Sequence, residues 1–197
     1  MKLKTYIKNF FFCLRYPFWK SRNVWTGKFS GYSSTFYNWI PEGWRKAFGK
    51  ELSKDIKKAG KMSRKRFKKY LTWKQMLSWQ DIKSKYGTLR LSAATTREIQ
   101  EVLCRYELLS RGYCERCGKP ARYITSGWTE YLCEDCFKYR LASSIEDCNK
   151  SLEQKLKDQR LTTDDIPTIT VYKHGESYEL DIKTCYNIDF EDLWGLK

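Results

Sequence analysis

The stretch CERCGKPARYITSGWTEYLCEDC, residues 114–136, contains four cysteines in two Cys-x2-Cys pairs that are separated by fifteen residues. A Cys-x2-Cys turn presents both sulfurs to one ion, and two such turns complete a tetrahedral shell of four thiolates. The intervening residues are enough for one short hairpin, with ARYI and TEYL as its arms, that returns the second pair to the first. The spacing therefore predicts a zinc ribbon with one structural Zn²⁺. The predicted ligands are Cys114, Cys117, Cys133 and Cys136.

Other uses of paired cysteines fit this spacing less well. A thioredoxin-like centre needs only one pair, at the start of a helix, and would leave the second pair unexplained. An iron–sulfur cluster also takes four thiolates, but its usual binding runs are more compact, so it is the weaker alternative. Disulfides need an oxidising compartment, and FFFCL at residues 10–14 is too short for a secretory signal. We therefore expect a cytoplasmic protein with reduced thiols.

Four thiolates close the coordination sphere of the ion and leave no position for water or substrate. The sequence therefore predicts an ion that stabilises a small fold and does not catalyse hydrolysis. Four bases around the site would then either offset the charge of the thiolates or contact phosphate, namely Arg111, Arg116, Lys119 and Arg122. The only histidine is His174, and neither a phosphate loop nor a dinucleotide-binding glycine motif is present. We expect that the protein is not an enzyme.

Positive charge is concentrated in the first half of the chain. The formal net charge is +15, but residues 1–94 contain 23 Lys or Arg and 4 Asp or Glu, a net +19, whereas residues 95–197 have a net −4. Between Ile56 and Gln80 there are nine bases and no acid. Such an asymmetry indicates a polyanionic partner, since neighbouring like charges on a helix repel. The candidate nucleic-acid-binding residues are Lys57, Lys58, Lys61, Arg64, Lys65, Arg66, Lys68, Lys69, Lys83, Lys85 and Arg90.

Aromatic residues are dense among the first forty residues and are interleaved with bases. Phe12, Trp19, Trp25 and Tyr37 are expected mainly as core or half-buried residues. Some of them could instead be platforms on which the bases of a single strand stack, because aromatics amid positive charge suit that role. The sequence leaves both interpretations open.

The periodicity of apolar residues predicts an α+β fold with amphipathic helices, short β-hairpins and the embedded zinc ribbon. Residues 41–59 should form a helix that Gly60 ends, and a second helix should begin at a Thr95–Glu98 capping box and end at Gly112. Cys104, beside the apolar stripe of that second helix, is expected to be buried.

The rest of the chain adds strand signals. Residues 73–86 could be a helix or a hairpin arm, and Thr88 to Ser92 should form a short strand. A further helix is expected at 141–160, and a hairpin at 168–182 with its turn at His174-Gly175. We divide the chain into a basic, aromatic-rich part (1–94), a capped helix with the zinc ribbon (95–140), and a C-terminal helix and hairpin (141–197).

Several motifs occur in a recognisable order: PEGWRKAFG (41–49), IKSKYGTLRL (82–91), RYELLS (105–110), CERCGKPA (114–121), GW (127–128) and LCEDC (132–136). Together they resemble an uncharacterised family of small zinc-ribbon proteins carried by phages, prophages and gut bacteria. The resemblance covers roughly residues 15–140. It implies the same four cysteine ligands and a mobile-element origin, and it implies no activity.

Two functions follow from these patterns. The first is a non-enzymatic zinc-ribbon protein that binds DNA or RNA through its basic N-terminal half. The alternative is an inhibitor of a host defence system, encoded by a phage or mobile element, that acts on a host nucleoprotein complex or sequesters a nucleotide signal. No apolar run approaches the roughly 18 residues of a membrane span, so no membrane partner is expected. The sequence leaves the oligomeric state open.

Overall fold

We describe a computed structural model of the chain, which covers residues 2–23, 25–68, 70–125, 129–140, 142–143, 168–173 and 179–183. The predicted α+β class is confirmed. The helices are α1 (Lys2–Arg15), α2 (Phe36–Trp39), α3 (Glu42–Phe67), α4 (Trp73–Met76), α5 (Arg97–Leu109) and α6 (134–140), with 3-10 turns at Pro17–Trp19 and Ser110–Gly112. The strands are β1 (Leu77–Lys85), β2 (Thr88–Thr95), β3 (Tyr123–Thr125), β4 (Tyr131–Leu132), β5 (Thr168–Lys173) and β6 (Glu179–Lys183).

Helix α3 buries the predicted apolar face but does not end where the sequence predicted. Trp44, Leu52 and Ile56 on this face are fully buried. The predicted stop at Gly60 is wrong, since Gly60 is buried within the helix and a Cβ there would lie 2.4 Å from the ring of Trp73. This glycine therefore permits a close ring-to-backbone contact. The helix ends seven residues later, before Lys68 in the left-handed conformation.

The undecided run at 73–86 is one turn of helix followed by a hairpin arm. Strand β1 pairs antiparallel with β2, from Leu77 opposite Thr95 to Lys85 opposite Thr88. Tyr86 and Gly87 between them both have positive φ, 52° and 67°, which is the backbone of a tight two-residue hairpin turn. Strand β2 continues past the predicted end at Ser92 to Thr95.

The predicted capping box of α5 is wrong. Thr95 is the last residue of β2, and Thr96 takes the position before the helix. The carboxylate of Glu98 points instead to α3, where it accepts hydrogen bonds from Ser63 and Arg66, both at 2.9 Å. A tertiary contact has thus replaced the local one.

Two further details of α5 differ from the expectation. Cys104 is exposed, because the buried stripe consists of Ile99, Leu103 and Tyr106, and Cys104 faces away from it. Gly112 does not have a positive φ, so it is not a left-handed helix stop. The chain leaves α5 through a 3-10 turn instead.

Aromatic residues fill the core that joins α1, α3, the hairpin and α5. The rings of Trp19 and Trp79 stack with centroids 4.9 Å apart and planes 8° from parallel. Their indole N–H groups are also satisfied, since Trp19 donates to Ser53 Oγ and Trp79 donates to the carbonyl of Phe18. Trp25, by contrast, is 94% exposed, so the early aromatics divide between core and surface.

The ribbon hairpin belongs to a four-stranded sheet with the order β4-β3-β5-β6. Tyr123 lies opposite Leu132 in the β3–β4 pair, as the predicted arms require, and opposite Lys173 in the β3–β5 pair. Strands β5 and β6 form the predicted C-terminal hairpin and extend the ribbon sheet. The expected turns at 126–128 and His174-Gly175, and nearly all of the expected helix at 141–160, lie outside the described residues.

Candidate metal centre and basic surface

The four predicted ligands are brought together at the base of the ribbon. The sulfurs of Cys114, Cys117, Cys133 and Cys136 all lie within 4.8 Å of one another, and Cys117 Sγ is 3.4 Å from Cys133 Sγ. A tetrahedron with metal–sulfur bonds of about 2.3 Å has sulfur–sulfur edges of about 3.8 Å, which lies within this range. No disulfide links the six cysteines in the described part of the chain. The cluster could therefore hold one metal ion.

Both cysteine pairs are formed by tight backbone turns. The N–H of Gly118 donates to the carbonyl of Cys114, and the N–H of Phe137 donates to the carbonyl of Cys133, both at 2.9 Å. Gly118 has a φ of +85°, a conformation that suits glycine. The second pair continues directly into α6, whereas the first returns towards the hairpin. The local sequence therefore determines both halves of the site.

The first cysteine pair is docked on the start of α3. The N–H of Gly43 donates to the carbonyl of Glu115 at 2.9 Å, and Trp44 Nε1 donates to the carbonyl of Tyr113 at 3.0 Å. A Cβ at Gly43 would lie only 2.2 Å from the carbonyl oxygen of Cys114, and one at Gly118 would lie 2.5 Å from that of Gly43. Two glycines thus allow the two backbones to touch.

The β1–β2 hairpin supports the ribbon from another side. Ser84 Oγ donates to the carboxylate of Glu115 at 2.9 Å, and a Cβ at Gly87 would lie 2.7 Å from the ring of Tyr131. Burial raises the pKa of Glu115, and the hydrogen bond from Ser84 partly opposes that rise. The PEGW and KYGT motifs are therefore contact points with the cysteine block, a role that spacing in the sequence does not reveal.

The pKa shifts of Cys117, Cys133 and Cys136 differ in direction. Burial raises the pKa of Cys133 and of Cys136, and hydrogen bonds with neighbouring thiols add to the rise at Cys136. Burial also opposes ionisation of Cys117, but the backbone N–H of Lys119 and the neighbouring thiols outweigh it, so the pKa of Cys117 is lowered. A metal binds thiolates and so displaces thiol protons, which couples binding to pH.

Three bases around the ribbon have acidic partners, whereas the exposed Arg111 and Arg122 have no ion pair among the described residues. Arg116 contacts Glu130 at 3.1 Å, Arg140 contacts the same carboxylate at 3.4 Å, and Lys119 contacts Asp135 at 2.6 Å. Glu130 is 9% exposed, so its charge needs these partners. Of the two roles considered for Arg116 and Lys119, these contacts favour internal charge compensation over phosphate contact.

Most of the predicted nucleic-acid-binding bases lie on one face of α3. The helical repeat places them opposite the buried face, together with three lysines that precede them. We call this set the basic stripe: Lys46, Lys50, Lys54, Lys57, Lys58, Lys61, Arg64, Lys65 and Lys68. It spans about 33 Å at 1.5 Å per residue. In the sequence, the nine-base run indicates its second half, and the spacing of Lys46, Lys50, Lys54 and Lys57 opposite the apolar face indicates the first.

The bases of the stripe differ in their partners. Lys46 and Lys54 pair with Glu42 and Glu51 at 2.7 and 3.9 Å. Two more contact backbone carbonyls, at Arg15 O for Lys57 and Leu71 O for Arg64. The other five have no hydrogen bond or ion pair within the residues that the structure describes, namely Lys50, Lys58, Lys61, Lys65 and Lys68.

The remaining candidates lie elsewhere. Arg66 is held by Glu98 on the buried side, and Lys69 lies outside the described residues. On the hairpin, Lys83 contacts Asp81, and Arg90 lies 3.8 Å from Glu107. Lys85 lies over the ring of Tyr86, 5.4 Å from its centroid. The eleven candidates therefore do not form one continuous surface.

Comparison of the chain with family models, with characterised proteins and with solved structures finds no match. The resemblance to the phage-borne zinc-ribbon family therefore stays a prediction. None of the described helices is both long and apolar enough to cross a membrane.

Proposed function

We propose that the protein is a non-enzymatic zinc-ribbon protein of the cytoplasm that binds nucleic acid, DNA or RNA, through the basic stripe of α3. The observation that supports this is the set of five stripe lysines without a carboxylate partner among the described residues. Four of them lie on α3, which is held by the core on its opposite face, and Lys68 directly follows the last residue of that helix. A rigid row of unpaired cations is a surface to which a phosphate backbone can bind.

Electrostatic repulsion within the stripe supports the same conclusion. Four lysines follow one another at intervals of three or four residues, so each lies next to a like charge on the adjacent turn: Lys54, Lys58, Lys61 and Lys65. Such pairs destabilise a helix by about 0.2–0.5 kcal/mol each. Phosphates would remove this cost when they bind, whereas solubility alone does not require so one-sided a helix.

We propose Zn²⁺ as the ion of the cysteine cluster, because four thiolates in tetrahedral reach of one another are its usual structural site. The ion would stabilise the ribbon in place of a hydrophobic core, because this segment has few buried side chains. It would also fix the first cysteine pair against Gly43 and Trp44, so the ribbon would stabilise the start of the helix that carries the stripe.

Charge-neutralising variants test the proposal. We compare Lys58→Gln/Lys61→Gln/Lys65→Gln with a control of the same charge change, Lys28→Gln/Arg97→Gln/Lys119→Gln. Binding of a labelled oligonucleotide is measured by fluorescence anisotropy over a salt series. The parent protein should show a log–log salt slope near −5 on duplex DNA if about six phosphates are neutralised.

The stripe variant should reduce that slope by about 2–3, at about 0.9 per lost contact, and the control should leave it nearly unchanged. Equal losses in both variants, or a parent slope near zero, would contradict the proposal. Purification from a bacterial host without nuclease distinguishes direct nucleic-acid binding from the alternative function. A single stoichiometric protein partner that co-elutes would favour the host-defence inhibitor, and bulk DNA or RNA would favour direct binding.

A further inference from the structure

A cleft of about 540 Å³ lies where α1, α2 and α3 meet. Lys46 and Lys50, the first two residues of the basic stripe, line it, so the cleft continues the stripe at the N-terminal end of α3. Its volume is within the range of about 300–1,000 Å³ that is typical of small-molecule sites.

The charge of this cleft is positive and largely uncompensated. Lys8 of α1 and Arg45 and Lys50 of α3 line it, and none of the three has an ion-pair partner in the part of the chain that the structure describes. Glu42, the acid of the cleft, is already engaged with Lys46 at 2.7 Å. The cleft therefore has three unpaired cations that can bind an anionic group.

Two amide side chains in the cleft each have one hydrogen-bonding group left unused. Asn9 donates through Nδ2 to the carbonyl of Tyr32 at 2.8 Å, and its Oδ1 has no partner among the described residues. Asn38 accepts at Oδ1 from the N–H and hydroxyl of Thr35, and its Nδ2 has no partner there either. Both asparagines line the cleft, and each has one amide atom that is not engaged elsewhere among the described residues.

Aromatic rings form the apolar wall of this cleft. The rings of Phe12 and Tyr37 pack on each other with centroids 4.6 Å apart, and both line the cleft beside the two amides. Aromatic rings, amide hydrogen-bonding groups and unpaired cations suit the base and the phosphate of a nucleotide.

We propose that this cleft binds one nucleotide unit, with the phosphate against Lys8, Arg45 and Lys50 and the edge of the base towards Asn9 and Asn38. The inference rests on the proposed function and makes it more specific. A base paired in a duplex cannot enter a cleft, so the site selects unpaired nucleotides. The unit belongs either to a single strand that lies along the stripe or to a free nucleotide.

Two measurements distinguish these sources. Fluorescence anisotropy compares a single-stranded RNA 12-mer with the matching duplex, and calorimetry titrates each nucleoside monophosphate alone. We expect the single strand to bind at least tenfold more tightly than the duplex. Saturable binding of a monophosphate alone would also support the site and would identify a free nucleotide as a ligand.

Asn38→Asp keeps the oxygen that accepts from Thr35, replaces the Nδ2 donor with an acceptor, and adds a negative charge that repels a phosphate in the cleft. Lys8→Gln is the second variant, at an exposed position of α1, and Lys54→Gln is the control, on the stripe but outside the cleft. We expect Asn38→Asp and Lys8→Gln to weaken single-strand binding about tenfold and about fivefold, with duplex binding changed less than twofold. Lys54→Gln should affect both substrates equally.

Equal affinity for single strand and duplex, with no effect of either cleft variant and no monophosphate binding, would overturn the cleft proposal. Salt-dependent binding through the stripe would survive that result. Conversely, absence of all oligonucleotide binding, with monophosphate binding that Asn38→Asp abolishes, would reject the stripe and retain the cleft.

Discussion

Basic side chains have different surroundings at the ribbon and along the stripe. At the ribbon, Arg116 shares the buried Glu130 with a second arginine, and Lys119 pairs with Asp135. Along the stripe, five lysines face solvent with no carboxylate partner in the described part of the chain. The number of bases on a surface is therefore a poor indicator of binding. Whether those bases have neighbouring carboxylates is a better one. Three ribbon bases are paired with carboxylates, whereas five stripe lysines are not paired among the described residues.

The largest expected effect is loss of the metal. Cys117→Ser, or a strong chelator, should reduce the zinc content from one ion per chain to none. The Tm should fall by about 10 °C or more, because a structural site contributes several kcal/mol and each kcal/mol shifts the Tm by about 2–4 °C. Cys104→Ser, at an exposed cysteine outside the cluster, is the control. Elemental analysis and calorimetry measure both, and equal metal content in the two variants would contradict the site.

The contact between the ribbon and α3 should give the next largest effect. Gly43→Ala places a Cβ 2.2 Å from the carbonyl of Cys114, so the two backbones must separate. We expect a loss of about 2–3 kcal/mol in the free energy of unfolding. Gly112→Ala is the matched control, since nothing lies within 4 Å of its Cβ position and its φ is not positive. Urea denaturation that shows equal stability for both variants would reject the docking contact.

Neutralising a ribbon base should reduce the free energy of unfolding by an intermediate amount. Arg116→Gln removes charged hydrogen bonds from Glu130, whose side chain is 11% exposed, and leaves Arg140 as its one ion-pair partner among the described residues. We expect a loss of about 1–2 kcal/mol in unfolding free energy. Arg97→Gln breaks a solvated ion pair with Glu101 and should cost less than about 0.5 kcal/mol. A reversed order of the two would show that the ribbon bases are not internal partners.

Neutralising the stripe should change stability least. Lys58→Gln/Lys61→Gln/Lys65→Gln relieves like-charge repulsion and removes no contact within the described residues, so we expect no change or a gain of a few tenths of a kcal/mol. The same variant should weaken nucleic-acid binding. A loss of stability above about 1 kcal/mol would mean that these lysines have structural partners, and the contrast with the ribbon would then disappear.

Local chemistry was readable from the sequence. The four cysteines were predictable because a Cys-x2-Cys turn depends on its own few residues and the intervening hairpin is short. The apolar face of α3 was predictable because its periodicity is regular from Trp44 to Ala59. The hairpin arms β3 and β4 followed from the requirement that the second cysteine pair return to the first.

Long-range contacts were not readable. Gly60 suggested a helix end, but its real role is to admit the ring of Trp73. Gly43 gave no signal at all, because its partner is a backbone carbonyl more than seventy residues away. Glu98 matched a capping box, but Ser63 and Arg66 of another helix bind its carboxylate. In each case the residue is visible in the sequence, but its role depends on a contact with a residue distant along the chain, which the sequence does not reveal.

The stacked Trp19 and Trp79 give the molecule an internal optical probe. Two indoles 4.9 Å apart and 8° from parallel couple electronically, so they should produce a distinctive near-ultraviolet circular dichroism band. The pair joins the segment after α1 to the hairpin and belongs to a hydrophobic core that does not include the four clustered cysteines. Chelation should therefore leave this band in place if the aromatic core survives loss of the ion, and abolish it if the two parts unfold as one cooperative unit.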